Sequence, residues 1–310
     1  MKIVILDALT YGDTSLEKFN ELGEVIVYQT TTPEEVLKRI QNATVIVTNK
    51  VVITASMMDA TPSLKLICVA ATGMNNVDLE GAKERAISVK NVAGYSTDAV
   101  VQHTFSMLFY LIGHSRYYDE YVKSGKWQQE PVFTHIGPSF YELKGKKWGI
   151  IGLGEIGSSV GKIAKTFGAN VCYYSTSGSN YSQEFESTTL SRLLEESDIV
   201  SIHAPLNDKT RKLIAHSELL QMKDGAVLLN LGRGGIVDED ALAVIIDVKP
   251  LYIGLDVLES EPMLTPHPFD AIEHKERLYL TPHIAWTSKE ARERLIEKTY
   301  MNICSFKDEN

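Results

Sequence analysis

The chain reads as an α/β protein of two doubly wound parallel-sheet domains. Short β-branched runs alternate with helical patterns along most of its length, the signature of strands joined by crossover helices. The alternation comes in two series, separated by a long apolar helix with no strand beside it. A length of 310 residues, 44% hydrophobic and 23% charged, is enough for two ordinary cores and carries no sign of disorder or fibre.

The first series holds the runs "KIVIL", "EVIVY", "TVIVT", "LKLICV" and "ISVKNV". Between them, "TPEEVLKRIQ" and "VDLEGAKERA" repeat apolar residues at helical spacing. From Asp98 to Tyr118, "DAVVQHTFSMLFYLIGHSRYY" reads as one continuous helix that opens a new domain. The second series runs through "KKWGII", "NVCYY", "DIVSIHAPL", "AVLLNLG", "LYIGLDV" and "LYLTPHIA", six strands, which suits a doubly wound dinucleotide-binding domain. A closing helix, "TSKEARERLIEKTYMNICSF", is long enough to return to the first series. The expected division is 1–97 with 287–310 for one domain and 98–286 for the other, with two crossings and a cleft between them.

A formal net charge of −9 argues against nucleic acid or an anionic membrane as partner, since both reward clusters of Lys and Arg. Cys68, Cys172 and Cys304 are odd in number and widely spaced, mostly in apolar runs, so they read as small hydrophobes and not as a disulfide or metal set. "MKIVILDALT" reads as a buried strand and not a signal peptide, and no apolar run approaches the ~18 residues of a membrane span. A cytoplasmic protein is expected.

The stretch "GLGEIGSSVGKIAKTFGANVCYYSTSG" carries Gly152, Gly154 and Gly157 between a predicted strand and a predicted helix that ends at Gly168. Gly152 permits the tight turn, Gly154 lets the backbone approach a pyrophosphate, and Gly157 lets the helix pack closely, while N–H groups near Glu155 and Ile156 face the anion. The acidic residue that would accept hydrogen bonds from an adenosine ribose is replaced by Ser175, followed by Thr176 and Ser177. Hydroxyls there do not repel a 2′-phosphate, and no Arg appears before Arg192 to prefer one. NAD and NADP both remain open.

Three later stretches carry the chemistry: "NLGRGGIVDEDAL" with Arg233, "GLDVLESEP" with Asp256 and Glu261, and "LTPHIAWTS" with His283. Each begins at a predicted strand end, the edge where open α/β sheets bind ligands. Reduction of a 2-keto acid by hydride transfer needs a cation for the carboxylate, an acid for the carbonyl oxygen, and a group that keeps that acid protonated. Arg233, His283 and Glu261 supply those chemistries.

Taken with "AATGMNNVDLEGAKERAISVKNVAGYSTDAVVQHTFSMLFYL" and "SIHAPLNDKTRKLI", these motifs resemble the D-isomer-specific 2-hydroxyacid dehydrogenases along nearly the whole chain. "ATGMNNVD", "NVAGYSTDAVVQH" and the Trp after the His are most similar to the glycerate dehydrogenases, or hydroxypyruvate reductases. The resemblance implies a flavodoxin-like substrate domain and a Rossmann NAD(P)-binding domain. It implies that Arg233 binds and polarises the substrate, that Glu261 pairs with His283, and that His283 is the acid/base. Asp256 would lie near the nicotinamide, His203, Ala204 and Pro205 would line the cofactor, and Thr210 would make a neighbouring contact. Ala71, Thr72 and Gly73 would receive the substrate carboxylate on backbone N–H groups; Lys50 falls at a substrate-facing position and reads equally as a surface Lys. A homodimer is implied, with the helix from Asp98 at its interface; Phe105, Leu108 and Leu111 could serve that interface, the core, or both. "AVIIDVKPLYIGLDV" lacks the family's usual glycines, which puts the local geometry before Asp256 in doubt.

The activity expected is NAD(P)-dependent interconversion of a small 2-keto acid and its D-2-hydroxy acid: hydroxypyruvate or glyoxylate with D-glycerate or glycolate. A D-lactate dehydrogenase is a neighbouring alternative. A phosphoglycerate dehydrogenase is less favoured, because "VTNKVV" offers no extra Arg for a phosphate. From a different class, a corepressor-like, cofactor-sensing binding protein of the same fold can retain the same Arg, Glu and His.

Overall fold

The structure, a computed structural model, describes residues 1–309. It divides into two compact units, Met1–Ser96 with Trp286–Asn310, and Thr97–Ala285.

The first unit is built on β1 (Lys2–Ile5), β2 (Glu24–Val27), β3 (Val45–Thr48), β4 (Leu66–Val69) and β5 (Ser88–Asn91), all parallel, in the order β2-β1-β3-β4-β5. That order is the flavodoxin type of doubly wound sheet. Central β3 and β4 are buried along their whole length, which is why they read as unbroken apolar runs and not as alternating ones. The crossover helices are short: α1 (Val36–Ile40), α2 (Ala55–Asp59) and α3 (Leu79–Glu84). Thr54 caps α2 by accepting from the Met57 N–H, and Asp78 caps α3 through the Gly81 N–H at 2.8 Å.

The second unit begins with α4 (Thr97–Ile112) and α5 (Ser115–Lys123). The single helix expected from Asp98 to Tyr118 is therefore two. The Gly113 N–H bonds to the Phe109 carbonyl, and His114 at φ +47° leaves the helical region and breaks the run. There follow β6 (Lys147–Ile151), α6 (Glu155–Thr166), β7 (Asn170–Tyr174), β8 (Glu186–Ser187), α7 (Leu190–Glu196), β9 (Ile199–Ile202), α8 (His216–Gln221), β10 (Val227–Asn230), α9 (Glu239–Val248), β11 (Tyr252–Leu255) and β12 (Leu278–Leu280). The sheet order is β12-β11-β10-β9-β6-β7-β8, parallel throughout, which is the Rossmann arrangement with one further strand. Seven strands stand where six were expected, because β8 is a two-residue edge too short to carry a pattern.

Phe105, Leu108 and Leu111 are buried within this unit, so they serve its core. Phe105 packs on Trp148 and Phe167, and Met107 and Leu111 lie against Gly254 of β11, where a Cβ would come within 2.7 Å of Leu229. The missing glycines before β11 do no harm: α9 stops at Val248, Lys249 is extended, and Pro250 prevents its continuation. Finally α10 (Lys289–Glu309) packs across β4 in the first unit. Among the described residues no helix is long and apolar enough to cross a membrane.

Candidate active site

One row of paired residues fixes the functional edge of the second unit. Tyr174, Ile151, Ile202, Asn230, Leu255 and Leu280, the last residues of their six strands, lie side by side in register. Ser175, Gly152, His203, Arg233, Asp256 and His283 each follow within three residues of that row. Parallel pairing therefore gathers the glycine loop and the three catalytic stretches at the C-terminal edge of one sheet.

At the β6 end, Gly152 has φ +90° and a Cβ there would fall 2.8 Å from the Ala204 nitrogen. Only glycine lets the loops after β6 and β9 approach this closely. A Cβ on Gly157 would meet the Gly152 carbonyl at 2.3 Å, which explains the tight start of α6. By contrast, a Cβ on exposed Gly154 would meet nothing within 4 Å, leaving open space before the helix N-terminus. Glu155 is exposed and accepts from Thr97 Oγ1 at 3.0 Å; Ile156 is partly buried behind it.

Two side chains along this edge have unmet hydrogen-bonding capacity. The Ser175 hydroxyl and both ring nitrogens of His203 are shut off from solvent and have no partner. Burial pushes the His203 imidazole down to about 3, so the ring is neutral and can offer one donor and one acceptor. Buried polar atoms left unpaired at a ligand-binding edge fit a dinucleotide with hydroxyl and amide groups to share. Ala204 and Pro205 continue the same strand end. Thr176 is partly buried, and exposed Ser177 bonds Ser179 through their hydroxyls at 2.7 Å. Arg192 pairs with Glu186 and Glu196, so its charge is already engaged by carboxylates.

Two further residues of the expected cofactor set are engaged by protein groups. Thr210 is fully buried; its hydroxyl donates to the Pro205 carbonyl at 2.7 Å and accepts from the Asn207 N–H, so it shapes the loop after β9. Asp256 is 2% exposed, and its carboxylate accepts from the Thr281 hydroxyl at 2.6 Å and from the Ile284 and Ala285 N–H groups at 2.8 and 3.0 Å. Its carbonyl also accepts from the His283 N–H. Asp256 thus folds the turn that presents His283, a residue held at φ +53° where a side chain other than glycine costs about 1–2 kcal/mol.

The His283 Nδ1 lies 2.6 Å from Glu261 Oε2. A carboxylate only accepts, so Nδ1 carries the proton and Nε2 is left for chemistry. Glu261 is held in turn by the Leu258 N–H at 3.1 Å. Behind that loop, and missed in the sequence, Glu239 accepts from the Glu259 N–H at 2.6 Å and from His267 Nε2 at 3.2 Å. His267 Nδ1 accepts from Phe269, which fixes the tautomer. Burial raises the Glu239 carboxyl pKa, against the lowering effect of the Glu259 N–H and His267.

Arg233 sits on a loop braced by Asn230, whose amide donates to the Arg233 carbonyl and accepts from Gly232. A Cβ on Gly234 would lie 1.7 Å from the Leu258 carbonyl, so the loops of Arg233 and Glu261 are in backbone contact. The guanidinium bonds the Gly232 carbonyl, and among the described residues no carboxylate pairs with it.

In the first unit, Lys50 follows β3 and Ala71–Gly73 follow β4, again at the C-terminal edge of neighbouring strands. Buried Asp7, unremarked in the sequence, folds the Lys50 loop by accepting from the Asn49 and Lys50 N–H groups at 2.9 and 2.7 Å. The Val92 N–H bonds the Ala71 carbonyl, and the Thr72 hydroxyl bonds the Val92 carbonyl.

The sequence profile described as "D-isomer specific 2-hydroxyacid dehydrogenase, NAD binding domain" matches residues 105–285. A hydroxypyruvate reductase of Blautia hydrogenotrophica is 35% identical over 99% of this chain and 97% of its own. Among solved structures, an acyclic imino acid reductase in complex with NADPH and D-Arg superposes with a TM-score of 0.86 at 29% identity, covering 100% of this chain and 98% of that one. A D-lactate dehydrogenase of Aquifex aeolicus complexed with NAD and lactic acid superposes with a TM-score of 0.84 at 26% identity, covering 99% and 96%.

Proposed function

The chain belongs to the D-isomer-specific 2-hydroxyacid dehydrogenases, and on that footing we propose that it reduces hydroxypyruvate or glyoxylate to D-glycerate or glycolate, and runs the reverse oxidations, with NAD or NADP as cofactor. The observation that carries this reading is the Glu261–His283 pair at the same sheet edge as Arg233, which no carboxylate among the described residues engages.

Gly152, Gly154, Gly157, Ser175 and His203 are the residues that would hold the dinucleotide, which supplies the hydride when bound. Arg233 receives the substrate carboxylate as a bidentate pair and draws charge toward the keto group. Nε2 of His283 delivers its proton to the keto oxygen as negative charge develops there, and takes the hydroxyl proton in the oxidative direction. Glu261 holds the Nδ1 proton throughout, so the ring turns only Nε2 to the substrate. In the first unit, the loops of Lys50 and Ala71–Gly73 are the candidates for substrate recognition.

Steady-state reduction of hydroxypyruvate and glyoxylate, measured with NADH and separately with NADPH, tests the assignment. Turnover of either acid ahead of pyruvate and phenylpyruvate is expected. A clear preference for pyruvate or an aromatic keto acid overturns the substrate assignment. Preference for NADPH would make the Ser175–Thr176–Ser177 segment a phosphate cradle of hydroxyls and backbone.

The protein is further proposed to be a cytoplasmic homodimer. Beyond α5, Phe133 and Ile136 are 89% and 88% exposed, with Val132, Phe140 and Tyr141 exposed around them, a patch of the kind that marks a protein interface. Light scattering should give twice the chain mass, and Phe133→Ser with Ile136→Ser should shift it toward the monomer. A monomeric wild type removes the dimer from the proposal.

A further inference from the structure

His103 lies on α4, outside every motif given a chemical role above, and its ring reaches the turn of His283. Its Nε2 is 3.1 Å from the Thr281 hydroxyl, which in turn is 2.6 Å from Asp256 Oδ1. A hydroxyl has one proton, and the carboxylate can only accept. The Thr281 proton is therefore given to Asp256, and the His103 Nε2–H must donate to Thr281. The direction of the line is fixed: His103 to Thr281 to Asp256.

From the proposed activity, and resting on it, we infer that His103 is a positioning residue for the catalytic imidazole. Asp256 holds three consecutive residues, His283 through its carbonyl and Ile284 and Ala285 through its carboxylate. The same carboxylate oxygen that accepts from Ile284 accepts from Thr281, so the rotation of the Asp256 side chain is set by the Thr281 hydroxyl, and that hydroxyl by His103. The anchor is firm at its far end. The Tyr110 and Tyr279 rings stack at 4.0 Å between α4 and β12, and Met107 and Leu111 of α4 lie on Gly254. Burial lowers the His103 pKa against the pull of Asp256, and a neutral ring with its proton on Nε2 donates as an imidazolium would. The left-handed turn at His283 costs backbone energy, and such turns persist where surrounding bonds over-determine them. His103 closes that set of bonds.

The test uses His103→Leu, which keeps bulk without a donor, and His103→Gln, whose amide N–H can stand where Nε2–H stands. Thr281→Val and the His103→Leu/Thr281→Val pair complete the set. His103→Leu is expected to lower kcat by about 10²-fold, the cost of a small misplacement of a reacting group, with KM and cofactor Kd changed less than about twofold. His103→Gln should recover most of the loss. The double variant should be no worse than the poorer single one, because both cut the same line. Resonances of the His283 ring in ¹⁵N-labelled protein should move in His103→Leu and return in His103→Gln. Wild-type kcat in His103→Leu, or a loss that His103→Gln does not relieve, overturns the inference. If the wild type reduces no 2-keto acid, the proposed function fails first, and the ring resonances still decide the positioning claim. Unmoved resonances reject it.

Discussion

Replacing His283 by alanine is expected to lower kcat for keto-acid reduction by about 10²–10⁴-fold, the usual contribution of a positioned acid, while cofactor Kd stays within about twofold. The ring bonds Glu261 at one nitrogen, so its loss removes the proton donor without unbuilding the glycine loop, which follows β6, four strands away along the same edge. His283 stands at φ +53°, and alanine tolerates that region poorly, so part of a loss could come from a turn that relaxes. Asparagine adopts the left-handed conformation more readily and supplies no comparable acid. His283→Asn should therefore lose as much kcat as His283→Ala while melting closer to the wild type. A His283→Asn enzyme with near-normal turnover would remove the imidazole from the chemistry, and a large rise in cofactor Kd in either variant would contradict its role as acid.

The sequence was most informative where function is local. Gly152, Gly154 and Gly157 announce their loop because the turn, the approach and the helix packing are all satisfied within six residues. Strand periodicity located both sheets, and placement after strand ends was enough to bring Arg233 and His283 to one edge. What escaped notice depends on partners far along the chain. His103 and Thr281 are 178 positions apart, and Glu239 and His267 are 28 apart, so no window of sequence contains either pair. The motif identifies Asp256 as a needed carboxylate without stating which way it faces. Its burial and its bonds to Thr281, Ile284 and Ala285 supply the direction. The break between α4 and α5 was missed for the opposite reason: Gly113 was visible, but the apolar spacing runs straight through it, and only the left-handed His114 ends the helix.

Arg233→Lys separates charge from geometry at the same site. Lysine keeps the positive charge and much of the reach, but it is a point charge on a flexible stem and cannot form two parallel bonds to a carboxylate. Breaking one side of a desolvated, hydrogen-bonded charge pair typically costs about 2–5 kcal/mol. Because the charge survives, the lower part of that range is expected, a fall in kcat/KM of about 30-fold to 300-fold. The loss should divide between the two parameters in a telling way. If Arg233 only anchors the carboxylate, KM rises and kcat is spared; if it also draws charge from the keto group as the transition state forms, kcat falls with it. The Arg233 loop lies against the loop of Glu261 through Gly234 and Leu258, and Asn230 braces it from within, so the backbone has little freedom to carry a shorter or softer cation into place. A fall in kcat is therefore the expected part of the result. Near-wild-type kinetics with hydroxypyruvate in Arg233→Lys would mean that another cation receives the carboxylate, and Lys50 of the first unit would be the next residue to replace.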